Sequence, residues 1–380
     1  MKQNNRSIIL QSIIISSAYT AYNIGSGFAT GTEVLQFFAS WGGIFPFIVF
    51  AISLLFTIVV NYILYDTGYS VPMEKSNEFY YYFCGKYIGK FFDYYAYLAL
   101  GGWVLVMVSG SGATINTYFN LPVYVGTCMM GILCALAVCM GMKKLVDVLG
   151  SIGIVIMIVT ICLGIYTVLT ADTGMLEASK NVSMYVSEGK ILQPTVFGMI
   201  NPILSAFSYT GVLMFGCAAW VVSSGKMMKT KKQMIVTSGL SSMFYFLPLL
   251  AVLFIILLNM DLVANEQIPL LAVVKNQLPS LALPYSIIII AAIFTTASGM
   301  LFVLVQRFAE ERTKRFYGIS IGIVVFSVVV GSFIPFATIL NFVYSIMGMS
   351  GIIFAIFMVT KYMRVKLNKT DADIDSKIKA

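Results

Sequence analysis

Apolar residues run along this chain in stretches of about 20, the length an α-helix needs to cross a hydrocarbon core of roughly 30 Å. Ten such stretches alternate with polar segments, at 8–38, 43–65, 94–116, 121–142, 148–170, 195–223, 234–259, 283–305, 316–333 and 338–361. A transmembrane barrel would alternate apolar and polar positions within segments of about ten residues, a pattern this sequence does not show. The expectation is an all-α integral membrane protein with ten transmembrane helices, a single domain over 1–380 closing in a polar tail, 362–380, expected to be disordered. Spans starting at 8, 43, 94, 121 and 148 are answered, each about 190 residues later, by spans starting at 195, 234, 283, 316 and 338. Because five is odd, the second half (195–361) crosses in the opposite sense to the first (1–170), the inverted-repeat plan of many secondary transporters.

Span 1 breaks its own pattern. The stretch "YNIGSGFATGTEVLQFF", 22–38, sets Gly25, Gly27 and Gly31 among Ser26, Thr30 and Thr32 where hydrocarbon should be. Unwound backbone inside a bilayer is tolerated only where it is buried in protein or lines a cavity. Each break also creates helix ends of opposite partial charge, which suits an anionic group and a cation held side by side. The repeat predicts a matching break at the middle of span 6, where "NPILSAFSYTGVLMFG", 201–216, supplies Pro202 and then Ser208, Tyr209, Thr210 and Gly211. The "SGSG" run at 109–112 reads instead as close helix packing.

Composition agrees with the pattern: 59% of residues are hydrophobic and 11% charged, with a mean hydropathy of +0.89, against roughly 25% charged in soluble domains. The apolar N-terminal run continues past any plausible cleavage point, so it reads as a retained span and not as a signal peptide. Histidine is absent, which removes the commonest metal ligand and general base. The six cysteines are scattered without CxxC spacing and read as buried small hydrophobes. With no nucleophile, base and orienting group together, an enzyme is not expected.

Charge sets the orientation. When loops are assigned alternately to two sides, only Lys180, Lys190 and Lys275 fall on one side, leaving 21 of the 24 basic residues, Lys143 and Lys144 among them, on the other. Basic residues accumulate in cytoplasmic loops, so both termini are expected inside. The net charge of +8 follows from topology and contact with inner-leaflet lipid, and implies no nucleic acid.

The motif "NIGSGFATGTEVLQFF", the interrupted span 6 and "IFTTAS" in span 8 together resemble the YkvI-like group of bacterial membrane proteins. Beyond it they resemble the LeuT-type fold of the amino acid, polyamine and organocation transporter superfamily. The resemblance implies a five-plus-five fold in a bacterial cytoplasmic membrane, with a small solute held between spans 1, 3, 6 and 8. Candidate solute-binding residues are Asn23, Gly25, Ser26, Gly27, Trp103, Ser208, Tyr209 and Thr210. It also implies a sodium site between spans 1 and 8, with the hydroxyls of Thr295 and Thr296 and the carbonyls of Ala21, Ile24 and Ala292 as ligands, since hard cations favour oxygen. Threonine hydroxyls also bond back to carbonyls of their own helix, which is the plainer role for the pair. Two positions depart from the group: Tyr22 stands where a second sodium site has Asn, and the middle of span 3 holds Trp103 and Met107 where a Tyr touches the substrate carboxylate. A carboxylate would then rest on the amides around Gly25, Ser26 and Gly27.

Glu33 is the one acid well inside a span. Two roles stand open for it. Thr30 and Glu33 have the spacing of a T-x-x-E capping box at a restarting helix, and intramembrane carboxylates commonly mark proton or ion pathways and gates. No Lys or Arg lies within the core of span 5 to replace a coupling cation, which favours sodium. Residues 72–90 look like a cytoplasmic helix on the membrane surface, and 262–282 like an outer lid. Together these features predict a sodium-coupled symporter of a small polar or zwitterionic solute such as an amino acid, working by alternating access, with no cofactor beyond the coupling ion. The alternatives are a proton-coupled carrier using Glu33, or a non-transporting sensor or partner protein that keeps the fold.

Overall fold

Local chemistry sets where the helices start and stop. A computed structural model describes the backbone of residues 2–75, 77–140, 142–172 and 174–378, and the side chains of 8–75, 77–138, 155–172, 174–175 and 177–367. The first span is three pieces, α1 (Lys2–Asn23), α2 (Ser26–Thr30) and α3 (Thr32–Phe37). α1 ends where Gly25 turns extended, and Gly31, at φ 82°, separates α2 from α3. A non-glycine residue pays about 1–2 kcal/mol for that left-handed conformation.

α4 (Phe45–Ser70) opens with proline in its first turn and stops before Pro72. α5 (Glu78–Phe119) bends at Gly85, φ 72°, into a short arm and a long rod. Next come α6 (Val123–Met140), α7 (Met142–Thr170) and two short helices, α8 (Met175–Ala178) and α9 (Val182–Ser187). α10 (Pro202–Gly225) begins on Asn201, whose Oδ1 accepts from the amides of Ile203 and Leu204 at 2.9 and 3.2 Å, an N-cap followed by proline at the first helical position. Thr230 and Thr313 cap α11 (Lys231–Leu258) and α15 (Lys314–Phe333) in the same way. α12 (Met260–Val263), α13 (Pro269–Gln277), α14 (Pro279–Gln306) and α16 (Phe336–Ile378) complete the chain. No strand occurs among the described residues.

α4, α5, α10, α11, α14, α15 and α16 are each long and apolar enough to cross a membrane, and Val123–Val138 and Val155–Thr170 add two shorter apolar stretches. The protein is therefore a multi-pass, all-helical membrane protein. Among the described residues, no single piece of the first span is long and apolar enough to count with them. The pair Lys143 and Lys144 lies outside the described side chains.

One expectation is corrected. α10 runs unbroken from Pro202 to Gly225, so span 6 has no midmembrane break. Its polar residues spend their hydrogen bonds sideways, and Gly211 serves packing: a Cβ there would meet Gly348 O of α16 at 2.8 Å. Beyond Lys361, α16 continues to Ile378.

α1 packs on α11, α4 on α10 and α11, and α5 on α14, α6 and α15, while α7 bridges α11 to α14 and α16 bridges α10 to α5. Close crossings rest on small residues: a Cβ on Gly351 would strike Gly211, and one on Gly112 would lie 2.8 Å from Val123 O, as expected for the 109–112 run. Between α1, α4 and α11 the contacts are polar. Thr237 bonds Ser12 at 3.0 Å, Ser241 meets both Ser16 and Tyr65 at 3.1 Å, and Asn61 donates to Ser242 at 3.1 Å. Such bonds average about 0.6 kcal/mol each in a bilayer.

The arm of α5 sets Phe79 5.9 Å from Phe354 and Tyr80 6.4 Å from Phe215 between ring centres, while Tyr87 and Ile88, just past the Gly85 bend, stay exposed. Asp93 then ties arm, rod and α14 together, accepting from Asn77 at 2.9 Å, Tyr81 at 3.0 Å and Arg307 at 3.1 Å. At the other end, α13 is buried over the first span: Thr32 Oγ1 donates to Gln267 O at 2.8 Å, and the amide of Phe336 to Gln267 Oε1 at 2.9 Å. Tyr185 Oη donates to Asp261 at 2.7 Å, and that bond pushes the tyrosine pKa above its usual value.

Candidate functional site

The site forms where α1 stops. Ile24 and Gly25 carry the chain across the gap to α2, and α5 passes behind them with Trp103 and Met107. A Cβ on Gly25 would collide with Met107 and lie 3.5 Å from the Trp103 ring, so glycine is what lets the two segments touch. The first amide after the gap, Ser26 N–H, donates to Met107 Sδ at 3.1 Å, a weak acceptor. From α10, Gly216 leaves room for a methyl 3.5 Å from the Trp103 ring and 3.9 Å from Asn23 Oδ1. Asn23 Nδ2 donates to Tyr19 O at 2.9 Å. One buried donor here has no partner, Trp103 Nε1, an arrangement costly enough to need an explanation.

The expected cation ligands lie one step along the gap. Thr296 Oγ1, on α14, donates to Ile24 O at 3.1 Å across 272 positions of sequence, whereas Thr295 Oγ1 bonds to Ala292 O of its own helix at 2.8 Å. Thr296 and Ile24 thus meet across the gap, while the Thr295–Ala292 bond stays within α14. Ala21 is half-buried in the last turn of α1, and the side-chain hydrogen bonds at this junction leave it out.

The other candidates divide. Gly27 faces Glu33: a Cβ there would strike its Oε2 and lie 2.9 Å from Tyr344 Oη. Thr210 turns to α4, 3.0 Å from Thr57 Oγ1 and 3.2 Å from Ser53 O. Ser208 faces the close α10–α16 crossing at Gly348, with its hydroxyl unpartnered. Tyr209 belongs to a different cluster, so these three do not line one pocket with Trp103. The level of α10 that meets the gap is Gly216, two turns further on.

Glu33 does not cap a helix. Thr30 Oγ1 bonds to Gly27 O at 3.2 Å, α3 has no side-chain cap, and the carboxylate is buried among three tyrosines. Its Oε1 accepts from Tyr209 at 2.8 Å and Tyr245 at 3.1 Å, its Oε2 from Tyr344 at 3.0 Å, and the first two hydroxyls are 2.7 Å apart. Tyr245 and Tyr344 were not singled out by the sequence. Their signal was position: membrane tyrosines concentrate at the two interfaces, and these stand deep inside their spans.

The class that fold and site define is a multi-pass helical membrane protein with a discontinuous first span and buried polar groups at the discontinuity. No protein-family model matches the sequence. The chain is 23% identical over 303 residues to the uncharacterized membrane protein YkvI of Bacillus subtilis (strain 168), covering 79% of this chain and 82% of that protein. It is 27% identical over 117 residues to YyaD of the same organism, also uncharacterized, covering 31% and 32% of the two chains. Among solved structures it is similar to a mutant manganese transporter of Eremococcus coleocola, with a TM-score of 0.47 and 12% identity over 97% of this chain and 73% of that one. A Na+-coupled sialic acid symporter in a substrate-bound outward-open state gives a TM-score of 0.45 and 13% identity over 91% and 83%.

Proposed function

We propose that the protein is a secondary carrier that moves a small polar or zwitterionic solute, such as an amino acid, by alternating access, with sodium as coupling ion. The observation that carries this reading is the gap at Ile24–Gly25, where an unpartnered indole N–H and a cross-helix hydroxyl–carbonyl pair share one buried place. Trp103 Nε1 is a donor in search of an acceptor, which a carboxylate or carbonyl of a solute supplies. Thr296 Oγ1 and Ile24 O are oxygens already 3.1 Å apart, and a sodium ion replaces their hydrogen bond by taking a lone pair from each.

Two five-span halves of opposite sense fit the packing. Exchanging each span for its counterpart five places on turns the α1–α11 pair into the α10–α4 pair, and both pairs are packed. The basic loops put both termini in the cytoplasm of a bacterial cell. Lipid is the second partner: Tyr94, Leu98, Phe326 and Phe342, all exposed, line an apolar groove of about 650 Å³.

The test is thermal stability of the purified protein against NaCl, with choline chloride as the ionic-strength control. A ligand binding only the folded state at 100 times its Kd adds about 2.7 kcal/mol. Sodium-specific stabilisation that disappears in Thr296→Ala is the expected result. Equal stabilisation by choline rules the ion site out.

A further inference from the structure

The oxygens around Glu33 have one hydrogen bond more than the tyrosines have protons to fill. Glu33 Oε1, Tyr209 Oη and Tyr245 Oη form a triangle with edges of 2.8, 2.7 and 3.1 Å. Each edge at hydrogen-bond length needs one proton, and the two phenols bring two. If Glu33 is ionised, one edge is left as two lone pairs facing each other. One more proton on Oε1 completes a ring in which every oxygen donates once and accepts once. Tyr344 meanwhile donates to Oε2 at 3.0 Å.

The groups around the triangle offer no compensating charge. α10, α11 and α16 present phenols; α1 contributes another, Tyr19, 6.5 Å from Tyr245 between ring centres; α5 contributes Trp103, tilted against Tyr344 at 5.2 Å; α14 contributes Tyr285, which donates to Ala29 O at 3.2 Å; α13 presents Leu270 to Gly31. The ion pairs of the described residues are Lys180–Glu177, Lys190–Glu188 and Arg307–Asp93, none of them at the cage. An unpaired buried carboxylate is expensive, and the five oxygens of Glu33, Tyr209, Tyr245 and Tyr344 join α3 to three different helices.

We propose that Glu33, Tyr209, Tyr245 and Tyr344 form a proton-operated latch on the α3 half of the first span. The latch is shut when the ring holds its third proton, the one on Oε1. When α3 moves off α10, α11 and α16 and water reaches the carboxyl, the Oε1–H bond breaks, its electron pair stays on the carboxylate, and the proton leaves to that water. One linked proton makes the opening equilibrium rise by up to tenfold per pH unit. The latch deepens the carrier reading by assigning a second cation, the proton, to the gate; its test involves no transport step, so the two fail separately.

The measurement is amide hydrogen exchange of the purified protein in lipid nanodiscs at pH 5.5 and 8.5, corrected for intrinsic exchange chemistry. Peptides covering 31–41 and 262–277 are expected to exchange about tenfold faster, or more, at the higher pH, while peptides of α4 and α11 do not change. Glu33→Gln keeps a neutral side chain in the cage, so both peptide groups should stay protected at both values. Tyr344→Phe removes a donor that favours the ionised carboxyl, so the pH of opening should move up. Exchange in wild type that is the same at both pH values, Glu33→Gln tracking wild type, or Tyr344→Phe moving the opening to lower pH each overturns the latch. If Glu33→Gln does not fold, the wild-type profile and Tyr344→Phe still decide.

Discussion

Gly25 and Gly27 are two residues apart and both are filled by neighbours, yet the neighbours differ in how far they can give way. The space beside Gly25 is held by the methyl end of Met107, and the space beside Gly27 by Glu33 Oε2 and Tyr344 Oη. A thioether repacks easily, whereas a hydrogen-bonded carboxylate does not. Gly27→Ala is therefore expected to lower stability by about 2–3 kcal/mol and Gly25→Ala by about 1 kcal/mol or less, within the range for overpacking. Thermal denaturation of the two variants in the same detergent checks the order, and equal losses would contradict the rigidity assigned to the cage. The glycine motif was legible in the sequence as a place where the helix stops. That Glu33 bonds to Tyr209, Tyr245 and Tyr344 was not, because nothing local links positions 176, 212 and 311 residues away from it.

At the scale of elements, glycine has two distinct uses. At Gly85 the backbone turns at φ 72° with nothing within 4 Å of the position a Cβ would take, so Gly85→Ala costs conformational strain alone, about 1–2 kcal/mol. At Gly211 the conformation is plain helix and the cost is contact, since α16 backbone lies 2.8 Å from the added atom. Gly211→Leu should therefore separate α10 from α16 and destabilise by about 3 kcal/mol or more, read as loss of resistance to unfolding in SDS. This is where the sequence reading of span 6 went astray. Pro202 marks a helix start and Gly211 a helix crossing, and the same residue types mark a break only when the chain has another place to send the freed amides and carbonyls.

For the molecule as a whole, the carrier reading predicts accumulation. Sealed vesicles containing the protein, offered a panel of radiolabelled amino acids, should concentrate at least one of them only under an inward sodium gradient. Thr296→Ala should abolish the sodium dependence. Full accumulation without sodium would remove sodium coupling, and binding without accumulation would mark a non-transporting protein. Orientation has its own test: a cysteine at Asn120 should react with an impermeant reagent from outside intact cells, and one at Lys231 only after the membrane is opened, as the charge asymmetry requires.

The sequence by itself determined that the chain crosses a membrane repeatedly as helices, because a bilayer demands about 20 apolar residues per crossing and internal satisfaction of every backbone group. It also located the discontinuity at 25–31 and singled out Glu33, since glycines and a carboxylate are conspicuous in hydrocarbon. Tertiary structure decided the partners. It alone brought Thr296 to the Ile24 carbonyl, set Gly216 instead of Ser208 opposite Trp103, kept α10 whole, and closed three tyrosines from three helices around one acid. These are contacts between residues hundreds of positions apart, fixed by which helices pack and at what height, and a pattern of apolar stretches carries the length of each helix without carrying its rotation or its neighbours.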